Sequence, residues 1–158
     1  MNDTITILIT WTTYGTWLPG DSRGWRKRKA GPQIPQPLLA EWCRKKMVGE
    51  VVLLEPEDRA TVEEACRKHC GHRGWHLPAV HARSNHVHIV VSAAEKPQTV
   101  RDQLKANCTG ALRKQKMPLN HERTWTRGGD CEILDTDEEI EAAVLYTLEA
   151  QDRKERDA

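Results

Sequence analysis

The residues best placed to do chemistry are His86 and His88, which flank Val87 in the stretch NHVHIVVS (85–92). Residues two apart on a strand face the same side, so both imidazoles can reach one metal ion. The rest of that strand is strongly apolar, and two same-face imidazoles in it need a shared polar purpose. Tyr146 is the next candidate. At about 100° per residue, Ile140, Ala143, Val144 and Leu148 gather on one side of a C-terminal helix, and Tyr146 points nearly opposite, flanked by Ala142 and Ala150. Small neighbours leave room around its hydroxyl. Glu149 follows at i+3 and shares its face, whereas Gln151 at i+5 points away in a regular helix.

Other clusters compete for attention. Residues 23–29 (RGWRKRK) hold five positive charges and a tryptophan. Interleaved Arg23, Trp25, Arg26, Lys27 and Arg28 pair phosphate neutralisation with base stacking, which makes this segment the best DNA-contact candidate. Trp17 and Trp125 are further stacking candidates, or else core residues. Cys66, His69, Cys70 and His72 offer metal-ligand types, but structural zinc sites usually draw ligands from two knuckles. Cys66 and Cys70 are better read as packing against a sheet. A histidine-triad nucleotide hydrolase is a rival to the paired-histidine reading, and it needs a third histidine where Val90 stands.

Composition bounds these options. The chain has 158 residues, enough for one domain with a real core and too few for two ordinary ones. Hydrophobic residues make up 38% and charged residues 30%, as expected of a soluble globular chain. Six Trp and no Phe hint that some indoles stack on a partner. No apolar run approaches the roughly 18 residues of a membrane span, so no membrane partner is expected. Residues 1–10 lack the basic start and cleavage site of a signal peptide. The expected compartment is the cytoplasm, and five cysteines there argue against a disulfide framework. A net charge of +1 is low for a dedicated nucleic-acid binder, but the charge is uneven: residues 130–141 hold seven acidic residues and no basic one.

The elements that must position these residues follow from periodicity. Ile5, Ile7, Ile9 and Trp11 alternate with threonines, a strand signature. A long Gly- and Pro-rich loop follows, then a short helix over 38–47. Residues 56–70 read as a helix with acidic residues early and basic ones late. Residues 75–81 form a strand whose Pro78 implies an edge position, and 85–92 form another. A helix is expected over 98–114. Segments 123–127 and 130–134 flank Gly128-Gly129 as a hairpin. Thr136 and Glu139 make a capping box for a last helix, about 137–151. The order strand, helix, strand, strand, helix, strand, helix is that of an α+β, ferredoxin-like (split β-α-β) antiparallel sheet. Its helices lie on one face, and a tyrosine-bearing helix follows at the C-terminus.

Taken together, WTTYGTWLPGDSRGW (11–25), RSNHVHIVV (83–91), RTWTRGG (123–129) and AAVLYTLEAQ (142–151) give the chain a family likeness. It resembles the single-tyrosine HUH transposases of the insertion-sequence type, most of all the REP-associated tyrosine transposases. The likeness runs from Thr4 to Arg153 and implies a single HUH endonuclease domain over 1–158. It implies that His86 and His88 bind a divalent metal, Mg²⁺ or Mn²⁺, and that Tyr146 is the nucleophile. In that family a polar side chain about one turn after the tyrosine completes the metal site. Position 150 is alanine here, so Glu149 fits best by helical geometry and Gln151 is the fallback. The implied activity is cleavage of single-stranded DNA beside a hairpin through a 5′-phosphotyrosine link, by a monomer or homodimer. A phenol titrates near pH ~10 and is a poor nucleophile at neutral pH; a metal that polarises the scissile phosphate offsets this. The alternatives are a hairpin-binding module of the same fold with a decayed site, and an unrelated metal-dependent hydrolase that uses only the histidines.

Overall fold

A computed structural model describes residues 3–27, 30–47, 51–115 and 123–149. Its ten elements run β1 (Ile5–Thr12), β2 (Trp25–Lys27), β3 (Gly31–Gln33), α1 (Pro37–Lys45), α2 (Pro56–Arg73), β4 (His76–Ala82), β5 (His86–Ala93), α3 (Pro97–Gln115), β6 (Asp130–Leu134) and α4 (Asp137–Leu148). The main sheet has the order β4-β5-β1-β6, antiparallel throughout. The connection from β1 to β4 passes over β5, and that from β5 to β6 passes over β1, which is the ferredoxin-like α+β plan. No helix among the described residues is long and apolar enough to cross a membrane.

Strand alternation divides the sheet into two faces. Ile7, Ile9 and Trp11 of β1 and Val87, Ile89 and Val91 of β5 point to the face covered by α2 and α3, where they meet Val62, Cys66, Val100, Leu104 and Cys108. All of these side chains are essentially fully buried, and at about 25 cal/mol per Å² of apolar area this layer is the main source of stability. The opposite face carries Leu8, Ala79, Val90 and Leu134, covered by Ile140, Ala143 and Val144 of α4. The helix between β1 and β4 and the helix between β5 and β6 thus share one face, and the tyrosine-bearing helix has the other to itself.

Pro78 does sit on an edge strand, at a register shift between His76 and Ala79 where the ladder does without its N–H. The start of α4 is capped as expected in one half only. Thr136 Oγ1 accepts from the Glu139 backbone N–H, but the Glu139 carboxylate accepts from Asp135 N–H rather than from that of Thr136.

Three expectations need correction. Gly128-Gly129 is not a hairpin turn. The bridge between Thr13 and Trp125 and the ladder from Thr10–Asp130 to Thr6–Leu134 both lie along β1. Residues 124–134 therefore follow one edge of β1, and the glycine pair is a bulge in that run. Gly129 has φ of 136°, and a Cβ there would lie 2.8 Å from the Thr10 carbonyl oxygen, so only glycine fits. Arg101 donates to the Gly129 carbonyl and Lys105 to those of Thr126 and Gly128, which satisfies the bulge from α3. Burial pushes the Lys105 pKa down. The second correction is that the long loop after β1 contains a ribbon, β2–β3, in which Trp25 faces Gln33 and Lys27 faces Gly31. The third concerns α4, whose buried positions are Ala143 and Thr147, while Leu148 is 47% exposed.

Candidate active site

The two histidines enter the site from β5, beside the last residues of β1. The register puts His88 opposite Thr10 and His86 opposite Thr12, on the face that α4 covers. Thr10 Oγ1 lies 2.8 Å from His88 Nδ1. His86 Nδ1 lies 2.6 Å from Asn85 Oδ1. An amide oxygen only accepts, so Nδ1 is the donating nitrogen of this contact. A threonine hydroxyl both donates and accepts, so Thr10 fixes the orientation of His88 and leaves its tautomer to whatever Nε2 meets. The two rings are edge to face with centroids 4.7 Å apart. His88 is buried and His86 half-buried.

Asn85 is held in turn by the stretch that follows β1. Thr13 N–H donates to the Asn85 carbonyl at 2.9 Å, and the Thr13 hydroxyl donates to the same oxygen. Thr126 ties the arrangement to the bulged run: its N–H donates to the Thr12 carbonyl, and its hydroxyl accepts from Thr12 Oγ1 and donates to the Thr13 carbonyl. The TTYGT and RTWT stretches thus act as a clasp around the first residues of β5. Trp125 belongs to the same clasp and to the core. It is half-buried, packs edge-on against Trp11 at 5.9 Å and donates to the Lys105 carbonyl and Thr109 Oγ1.

Tyr146 comes from α4 and meets this pair. Its ring sits edge to face on His88 with centroids 5.2 Å apart. It lies on the flank of the buried stripe rather than opposite it, because the stripe is centred on Ala143 and Thr147. The structure therefore brings together His86, His88 and Tyr146. It leaves Glu149 exposed at the C-cap of α4, after the last regular residue, Leu148. Gln151 lies outside the described residues. Among the described residues no group of three His, Cys, Asp or Glu side chains is arranged to hold a metal ion. His86 and His88 fit a divalent metal as two imidazole ligands, each with its Nδ1 already occupied by a neighbour.

Three residues of this neighbourhood escaped the sequence reading. Thr10 and Asn85 orient the imidazoles. His81 of β4 is the cross-strand partner of His88 on the same face, and its Nδ1 is buried with no hydrogen-bond partner among the described residues. Strand alternation puts Thr10 on the polar face of β1, but only the register reveals that it meets His88.

The basic segment divides by role. The Arg23 guanidinium stacks 3.9 Å over Trp17, pairs with the Asp21 carboxylate and donates to the Thr16 carbonyl. The Arg23 hydrogen bond holds the Asp21 carboxyl below its ordinary range. Arg23 and Trp17 therefore brace the loop. Trp25 donates to the Ile34 carbonyl and Lys27 is exposed. The Arg26 side chain and all of Arg28 lie outside the described residues.

The zinc reading of residues 66–72 does not assemble. Cys66 Sγ lies 3.5 Å from Cys108 Sγ in the core, and His69 pairs with Gln103. The Cys108 contact and burial push the Cys66 thiol well up, and burial with its Cys66 neighbour takes Cys70 to about 12. No protein-family model matches the chain, and no curated protein matches it.

Proposed function

We propose that this protein is a metal-dependent single-stranded DNA endonuclease and strand transferase of the HUH type, with Tyr146 as its nucleophile. The observation that carries the reading is the contact of Tyr146 with His88. A tyrosine from the last helix and two oriented histidines from the third strand of the main sheet, far apart in sequence, meet on one face of the sheet. His86 and His88 would hold a divalent metal through Nε2, and when bound it would polarise the scissile phosphate.

The remaining steps belong to the chain. Tyr146 Oη attacks phosphorus and gives its proton to solvent. The P–O3′ bond breaks, its electron pair goes to the 3′ oxygen, and that oxygen takes up a proton. The products are a 5′-phosphotyrosine link and a free 3′-OH. Attack of a 3′-OH on the link reverses the step and releases Tyr146, so rejoining needs no nucleotide cofactor. Asn85 and Thr10 keep the imidazoles from rotating away during the exchange.

The substrate form is testable. A nucleophile on a helix above a sheet must receive a bare phosphate in line, and a paired strand cannot bend into that crevice without losing several kcal/mol of pairing and stacking. Oligonucleotides with an unpaired flank beside a hairpin should be cut, and a full duplex of the same sequence should not. Binding should weaken steeply with salt. Neutralising Arg26, Lys27 and Arg28 together should flatten the slope of log affinity against log salt by up to about three phosphate contacts. Equal cutting of both substrates, or an unchanged slope in the triple variant, would sink the reading.

A second reading is a hairpin-binding module with a decayed site. It is favoured by the exposure of Glu149 and by the lack of a three-donor group among the described residues. It predicts the same salt dependence with no covalent adduct under any metal.

A further inference from the structure

The insertion between β1 and α2 carries apolar surface that neither core uses. Ile34, Leu38 and Trp42 are 76%, 83% and 59% exposed. Leu38 and Trp42 stand at i and i+4 on α1 and share one face. Buried Ala40 marks the inward side, where the helix packs on Gly20. The outward face ends in positive charge. The Lys46 ammonium sits 5.6 Å from the Trp42 ring centroid. Arg44 and Lys45 stand beside it, and Glu41, the single acid of α1, is paired with Lys45 at 3.5 Å.

An exposed indole with an ammonium against it suits one kind of partner better than another. The core of a protein–protein interface is depleted in lysine. Unpaired nucleobases stack on an indole while their phosphates take the neighbouring cations. The location agrees. Met47, just past α1, packs on Gly15, whose φ of 79° lies in the left-handed region that favours glycine. Gly15 is two residues from Thr13, which holds Asn85 beside His86. The basic end of α1 is thus fixed to the loop that borders the histidines.

We propose that the outward face of α1, centred on Trp42 with Lys46, is a stacking platform for the unpaired bases of the strand that leads to the His86–His88–Tyr146 site. This rests on the reading of the site as a single-strand endonuclease, and it adds a surface that grips bases rather than phosphates. The test is a set of binding isotherms by fluorescence anisotropy. The probe is a labelled hairpin with an unpaired flank, compared with the same hairpin carrying an abasic flank. Trp42→Ala should weaken binding to the ordinary flank about tenfold, the effect of losing one stacked base. On the abasic flank it should change nothing, and Trp42→Phe should recover most of the affinity. Unchanged affinity of Trp42→Ala for the ordinary flank, or an equal loss on both flanks, overturns the proposal. So does conversion of a dimer to a monomer by light scattering at constant DNA affinity, which would make the face a protein interface. The adduct assay separates the two readings. An adduct that forms while Trp42→Ala binds as the parent does removes the platform alone; no adduct and no binding to either probe removes both.

Discussion

Tyr146→Phe is expected to abolish the covalent protein–DNA adduct while leaving hairpin binding within about twofold of the parent. The substitution deletes one hydroxyl and keeps the ring that packs on His88, so the fold and the binding surface change little. The chemical step loses its attacking atom, and loss of a nucleophile costs on the order of 10⁴-fold or more in rate. The measurement is a denaturing gel of protein with a labelled oligonucleotide, beside an anisotropy titration of the same pair. An adduct that persisted in Tyr146→Phe and vanished in Tyr14→Phe would move the nucleophile to the loop after β1, where Arg123 lies 5.8 Å from the Tyr14 ring.

The second large effect concerns the imidazole pair. His88→Ala should eliminate Mn²⁺-dependent cleavage, and a chelator should do the same to the parent. The residue is buried, so circular dichroism must show that the variant folds; the Thr10 hydroxyl left behind costs about 1 kcal/mol. Thr10→Val is the finer probe. It keeps the ligand and removes only the group that orients it, and such losses typically cost 10- to 100-fold in metal affinity or activity. Raising Mn²⁺ should restore much of the Thr10→Val activity and none of that of His88→Ala. Identical metal titrations for Thr10→Val and the parent would show that the Nδ1 contact is incidental.

The sheet was readable because its strands carry contrasts that physics makes one-sided. In β1 the apolar side chains Ile5, Ile7, Ile9 and Trp11 share the odd positions while threonines hold all but one of the even ones, Leu8 being the exception, so one face is marked for the main core. Pro78 forbids a central place for β4, and the edge is where it stands. The glycine pair at 128–129 was misread because positive φ serves a turn and a bulge equally well; the choice rests on whether the flanking segments pair with each other or with a third strand. Ribbon β2–β3 is three residues a side, too short for alternation to register. In α4 the hydrophobic ranking favoured Leu148 over Thr147, yet the small threonine fits against the sheet and the leucine turns out. The histidines and the tyrosine were legible as residue types. Their supports, Thr10 and Asn85, were not, since a cross-strand register is a tertiary fact.

The cysteines offer a clock for the motions of this fold. Cys66 and Cys108 sit sulfur to sulfur between α2 and α3, completely covered, while Cys43 and Cys131 are half-exposed. A thiol reagent in excess should consume the two half-exposed thiols at once and reach the three buried ones, Cys66, Cys70 and Cys108, only when the helical layer parts from the sheet. When closing outpaces labelling, the slow phase reads the free energy of that opening. Cys66 and Cys108 lie on the face opposite α4, so the slow phase should be insensitive to any loosening of the tyrosine helix. Mass spectrometry of the labelled protein, with and without hairpin DNA, would then time the two layers independently: one that holds the domain together, and one whose fluctuations bear on when Tyr146 is in position.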